Sequence, residues 1–219
     1  MTSGTFTAGV AVLVLTLLAV AGPPLGLSPW WITVAVAGTL GSLTVDAARF
    51  GGRGGHLLAE ALPGGDRRLR RIAVHEAGHA LAAAADALPV RRVLVGSLAC
   101  LQAGLASGGC TEFELSAQAK LGAEDLRRWS RVLQAGTVAE RLVYGESEGG
   151  ADDRALLGRL WGVSGFDVET AQREQRRARR EVEKLLRQDR EKLEAEADRL
   201  LDVAPRLGRS LPPDEPARA

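Results

Sequence analysis

The first 45 residues carry no charged side chain, and this feature constrains the fold more than any other. They contain two apolar runs, residues 6–22 and 30–45, separated by a connector with three prolines. Each run would form a helix of roughly 24–26 Å, slightly shorter than a hydrocarbon core of about 30 Å, and flanking Thr, Ser and Gly residues can extend it. Because proline cannot continue a helix, the pattern predicts a transmembrane hairpin.

Two other interpretations of this segment stay open. The first run could be a cleaved signal peptide, although no Lys or Arg precedes it and the second run would then be unexplained. The pair could also be a buried hairpin of a soluble core, because both runs are short. Six arginines follow the second run within residues 49–71, whereas the proline connector has none, so we predict a multi-pass protein of a membrane, the bacterial plasma membrane, with both termini and the hydrophilic domain in the cytoplasm.

Overall charge and cysteine content exclude some classes of function. The chain has 28 basic and 27 acidic residues, so its net charge gives no indication of a nucleic-acid partner. Cys100 and Cys110 are the two cysteines, which are too few for the disulfide framework of a secreted domain. We therefore predict free thiols in a reducing compartment.

The residues that carry chemistry lie on a helix predicted from Asp66, as its cap, to about Leu88. Residues 75–79 read HEAGH, which places His75 and His79 one turn apart on one face, where both can bind a single metal ion. Glu76 is next to the first histidine and can act on a zinc-bound water without being a ligand. The spacing could arise by chance, but the chain has three histidines and two fall in this motif. The third, His56, is expected to be exposed in a polar connector.

A zinc site of this kind needs a third protein ligand. Zinc with three protein ligands keeps a position for water, lowers the pKa of that water to about 7 and polarises a substrate carbonyl. No histidine follows within residues 80–88, so the metzincin pattern fails. Glu140 and the pair Asp152 and Asp153 are the candidates, and spacing does not choose between them.

Several segments resemble the peptidase domain of the FtsH family, the membrane-bound AAA zinc proteases of bacteria, mitochondria and plastids. They occur in the family's order within residues 67–211, and are RIAVHEAGHA at 71–80, EDL at 124–126, VLQAGTVAERLVYGE at 132–146 and DREKLEAEADRLL at 189–201. The resemblance implies zinc as the cofactor, Glu76 as the catalytic base and a polypeptide as the substrate. It also implies a partner, either further copies of this chain or a separate ATPase.

The family's third ligand is an Asp after a Gly-Ala-x-Asn element, which falls on residues 149–153 here. Asp153 then takes the ligand position, and Asp152 stands where Asn is usual. Because the preceding segment is one residue shorter than in the family, Asp152 is a second choice.

The 219 residues contain no G-x-x-x-x-G-K-[ST] pattern, which the ATPase module of that family carries. The stretch between the apolar segment and the helix with HEAGH is also too short for an ATPase module.

We therefore predict a mainly helical zinc peptidase domain of FtsH type with a small β-hairpin, preceded by a transmembrane hairpin. The predicted parts are the hairpin at 1–46, a glycine-rich connector at 47–65, the peptidase domain at 66–204 and a disordered tail at 205–219. Within the domain we expect strands at 90–95 and 104–113, with residues 109–112 as a candidate shelf for substrate. Helices are expected at 123–143, 153–161 and 167–203.

The predicted function is endopeptidase cleavage of flexible or unfolded segments, by Glu76-activated zinc-bound water and without an ATPase in this chain. The alternative is a catalytically silent FtsH-like scaffold or adaptor of a membrane protease complex. A scaffold has no chemical need for Glu76, and this favours the enzyme.

Overall fold

The computed structural model describes residues 3–26, 28–50, 57, 60, 64–105, 107–114 and 120–206. Within these ranges the chain is mainly helical and has one antiparallel sheet of two strands, as the sequence predicts. The elements are α1 (Ser3–Ala21), a short 3-10 turn (Pro23–Leu25), α2 (Pro29–Phe50), α3 (Gly65–Ala85), β1 (Val90–Val95), α4 (Ser97–Gln102), β2 (Gly109–Phe113), α5 (Ala123–Tyr144), α6 (Ala151–Val163), α7 (Val168–Gln188) and α8 (Arg190–Val203). Most of the predicted connector, including His56, and residues 207–219 of the predicted tail lie outside the described ranges.

The N-terminal part forms two helices that contact each other, α1 and α2. One stretch of α2, Trp30–Ala48, is long and apolar enough to cross a membrane, and its side chains are not buried by the rest of the protein. The described apolar stretch of α1, Val12–Ala21, is shorter. Helix α2 continues to Phe50, beyond the predicted end at residue 45.

Helix α3, which carries the HEAGH sequence, begins and ends differently from the prediction. Gly64, with a φ of 98°, precedes it, and no side chain caps its first turn. The prediction of Asp66 as the cap is therefore wrong, since Asp66 lies inside the first turn and accepts a hydrogen bond from Arg206 Nη1 at 3.0 Å. The helix ends at Ala85 rather than Leu88, because the chain turns at Ala87, whose φ is 52°.

The core forms where α3 packs against α5 on one side and α8 on the other, while α7 covers α5. Small residues of α3, such as Ala73 and Ala77, are fully buried against Val132 and Ala135 of α5. Gly78 makes this close approach possible, because a Cβ there would lie 2.7 Å from the Cβ of Ala139. The two helices can therefore come near enough for side chains of both to meet at one site.

A second apolar cluster fixes α6 on α5. Trp161 of α6 is buried against Leu126 and Trp129, and its Nε1 donates to Ser130 Oγ at 2.9 Å. Burial of an aromatic side chain of this size stabilises a fold by about 1.5–3 kcal/mol. Because α6 is held at its C-terminal end, its first turn has a defined position relative to α5.

The predicted helical stretch over residues 167–203 is helical in the structure, but it is divided into α7 and α8 at Asp189. Asp189 has a φ of −101° and a ψ of 30°, outside helical geometry. The break has a packing cause, because α7 lies on α5 whereas α8 lies on α3, so the chain must change direction between the two surfaces. The predicted helix start is supported, since Asp167 Oδ1 accepts from Thr170 N at 2.8 Å.

Candidate metal centre

The two histidines of α3 lie side by side in the interior. Their ring centroids are 4.8 Å apart, and the exposed fractions are 8% for His75 and 3% for His79. Positions four apart on a helix project from the same face, so the backbone alone brings the rings together.

Asp153, in the first turn of α6, completes the group. Its Oδ2 lies 3.2 Å from His75 Nε2 and 3.5 Å from His79 Nε2. The three potential ligand atoms lie within 4.8 Å of one another, so this set could hold a metal ion. Asp152 is exposed and lies outside the set. Of the acidic residues left open by the sequence, the structure brings Asp153 to the histidines.

Glu140 has a different position from the one that a third ligand would need. Its Oε1 lies 2.6 Å from Nδ1 of His75, on the side of the ring away from Asp153, and its side chain is 2% exposed. His79 has a matching contact, since its Nδ1 lies 2.7 Å from the carbonyl oxygen of Val132. If both Nδ1 atoms carry the proton, both Nε2 atoms are left as ligands that point to one place. Such outer contacts commonly orient metal-binding histidines.

Gly136 of α5 leaves room for the site. A Cβ at this position would lie 2.4 Å from His75 Nε2 and 2.6 Å from His79 Nε2, far inside van der Waals contact. The absence of a side chain therefore gives both ligand nitrogens the space they occupy. Two neutral imidazoles and a carboxylate are a donor set that zinc accepts, so the residues present fit a zinc ion.

We expect Gly136→Ala to weaken metal binding. The added methyl group would push at least one imidazole away, and the Nδ1 contacts to Glu140 and Val132 limit where the rings can go. The expected loss of zinc affinity is roughly tenfold or more, the scale seen when groups around a ligand shell are disturbed. Competition with a chromogenic chelator would measure it. Gly158→Ala is the control, because a Cβ at that helical position meets nothing within 4 Å; equal affinities for the two variants would contradict the expectation.

The electrostatics of the metal-free group favour opposite charges on His75 and Asp153. Burial opposes the charge on the imidazole, but hydrogen bonds with Asp153 and Glu140 raise the pKa of His75 to about 10. Burial likewise opposes the charge on Asp153, yet its contacts with both histidines hold the pKa of this carboxyl well below its usual range. A metal ion that binds here would displace a proton from His75 and take over its attraction for Asp153.

Glu76 points to the same region from the next position of α3. Its side chain is buried, and its Oε2 accepts a hydrogen bond from Thr111 Oγ1 of β2 at 2.7 Å. Burial raises the pKa of this carboxyl, against the lowering effect of His79 and His75. Gly109 of β2 lies so close that a Cβ there would be 2.6 Å from Glu76 Oε1. The Glu76 carboxylate is thus enclosed between α3 and one face of β2.

The sequence does not predict the contacts of Gly136 and Thr111 at this site. Gly136 stands out in the sequence as a glycine inside a strongly helical pattern, a position where a close approach is a usual cause. Thr111 gives no comparable signal, because its contact with Glu76 depends on how α3 and β2 meet. Cys100 and Cys110, as predicted, form no disulfide.

Comparison with protein-family models, with curated proteins and with solved structures found no match to this chain.

Proposed function

We propose that this chain is a membrane-anchored zinc endopeptidase of FtsH type that cuts flexible or unfolded protein segments. The observation that carries the proposal is the convergence of His75, His79 and Asp153 from two separate helices, with the buried carboxylate of Glu76 beside them.

In the proposed mechanism His75, His79 and Asp153 hold the ion. Zinc supplies a Lewis acid that polarises the scissile carbonyl and acidifies water. Thr111 fixes Oε2 of Glu76, so we assign the transfer of the water proton to Oε1. Glu76 then holds the proton and passes it to the leaving amine.

Strand β2 is the proposed binding surface for the substrate. Among the described residues it pairs with β1 alone, so its other edge has no strand beside it. Thr111 and Gly109 belong to this strand and contact or adjoin Glu76. An extended peptide paired with that edge would lie next to the base, and main-chain hydrogen bonds would bind it with little preference for sequence.

The membrane anchor is part of the proposal. Helix α2 provides one stretch long enough to cross the bilayer, and we propose that α1 crosses as well. The arginines after α2 would then keep the catalytic domain in the cytoplasm. Substrates would be segments of proteins in or near that membrane.

The test uses the full chain purified in detergent, with zinc measured by elemental analysis and proteolysis measured on casein. We expect one zinc ion per chain and cleavage that a chelator abolishes. The Asp153→Ala variant should bind no zinc and cut no casein. The Asp152→Ala variant, which changes the exposed neighbouring residue, should still bind zinc and cut casein. Zinc without cleavage would favour the scaffold alternative, and a protein without zinc after loading would contradict the proposal.

A further inference from the structure

Arg71 lies one turn before His75 on α3 and uses all three guanidinium nitrogens. Its Nε donates to Glu140 Oε2 at 3.0 Å, its Nη2 donates to the carbonyl oxygen of Glu146 at 3.2 Å, and its Nη1 is paired with the Glu148 carboxylate. The guanidinium carbon lies 5.0 Å from the centroid of the Tyr144 ring, in a cation–π arrangement.

These contacts add to a connection that Glu140 makes between His75 and the loop before α6. Glu140 Oε1 contacts Nδ1 of His75, and the same carboxylate accepts backbone hydrogen bonds from Glu148 N at 2.8 Å and Gly149 N at 3.3 Å. The loop held in this way runs from Gly145 to Gly150, whose φ values are 81° and 82°, and it leads directly into the first turn of α6. That turn carries Asp153.

The contacts of Arg71 differ in strength. The bond to Glu140 is mostly shielded from water, since the exposed fractions of the two side chains are 18% and 2%, so solvent screens it little. The Glu148 carboxylate is 69% exposed, and surface pairs of that kind contribute little. By burial, the contact to Glu140 is therefore the strongest, and the exposed bond to the Glu146 carbonyl adds a link to the loop backbone.

We propose that Arg71 is a positioning residue for the metal site, which holds the Glu140 carboxylate on His75 and the 145–150 loop in the arrangement that places Asp153. The inference rests on the metal site of the proposed function but not on peptidase activity. Lysine would replace it in part, because its three donors share one nitrogen, whereas the guanidinium directs separate nitrogens to the Glu140 carboxylate and to a loop carbonyl.

The experiment titrates metal-free full-length protein with Co²⁺ and follows the visible absorption of the bound ion. Arg71→Met keeps the length of the side chain and removes its donors. We expect it to raise the Co²⁺ dissociation constant by about 10–100-fold and to alter the absorption spectrum, because one ligand is displaced. Arg71→Lys should give a smaller loss, and Glu148→Gln a smaller one still.

The matched control is Arg70→Met. Arg70 is the neighbouring residue, but it is paired with Asp198 and is more exposed than Arg71. Its substitution should leave affinity and spectrum within about twofold of the wild type, as expected for a surface ion pair. Melting of the metal-free proteins, followed by circular dichroism, separates positioning from general stability.

A wild-type spectrum and affinity in Arg71→Met would overturn the proposal, as would equal losses in Arg70→Met. If Arg71→Met fails to fold, Arg71→Lys decides the matter by the same two readouts. Failure of the proposed function looks different, because the wild type itself would then bind no Co²⁺ or would bind it without cutting casein.

Discussion

Replacement of Glu76 by Gln is expected to leave zinc bound and to remove nearly all hydrolysis. Loss of a general base typically lowers the rate by about 10²–10⁴-fold. Gln has the same shape as Glu and can still accept the hydrogen bond from Thr111 through its amide oxygen, so the fold around the site should persist. The amide cannot take a proton from water, and this is the one function that the substitution removes.

The measurement pairs elemental analysis of zinc with the cleavage rate of a quenched fluorescent peptide. Glu183→Gln is the control, because Glu183 lies on α7 and its partly exposed carboxylate is paired with Arg187 rather than held at the site. It should keep wild-type activity. Equal rates for Glu76→Gln and the wild type would refute the proposed mechanism, and loss of zinc in Glu76→Gln would mean that Glu76 supports the ligand set instead.

Unfolded substrates are expected to be cut at least a hundredfold faster than the same proteins in their native form, and ATP is expected to have no effect. An edge strand can bind only an extended segment, and a folded protein exposes one only when it opens locally or globally. Opening of a stable domain costs about 5–15 kcal/mol, so the exposed population is small. The 219 residues contain no P-loop pattern that could bind ATP to drive this opening.

The comparison uses one disulfide-bonded substrate protein, native or reduced and unfolded, with and without ATP. A cleavable peptide serves as the control for equal enzyme activity in each mixture. Fast cleavage of the native substrate would show that the site accepts folded surfaces. Stimulation by ATP in a preparation free of other ATPases would show that the protein uses ATP although it lacks the P-loop pattern.

Much of the architecture is predictable from the sequence because the relevant signals are local. Alternation at residues 90–95 predicts β1, and helical periodicity predicts α5 to within one residue of its end at Tyr144. The His75 and His79 pair is predictable for the same reason, since their proximity follows from helix geometry alone. The break at Asp189 is not, because no Gly or Pro marks it and packing on two different helices causes it.

The choice among Glu140, Asp152 and Asp153 depends on tertiary structure. Glu140 and His75 lie on different helices, so the ring nitrogen that the carboxylate contacts depends on how α3 and α5 pack. Asp152 and Asp153 differ by one position on α6, which is a rotation of about 100° around the helix. The anchoring of Trp161 helps to fix that rotation, and in the sequence the resemblance to the family, rather than any local pattern, favours Asp153.

The distribution of the ligands over α3 and α6 gives a bound ion a mechanical role. An ion shared by the two helices is a cross-link between the start of α6 and the centre of α3, so it would act at the end of α6 opposite the Trp161 anchor. Ligand binding to the native state stabilises it by mass action, so the free metal concentration in the cell would set how often this segment opens. A shortage of the bound metal would then have an effect beyond any loss of the proposed activity, because it would expose the glycine-containing loop before α6 to other proteases and shorten the lifetime of the protein.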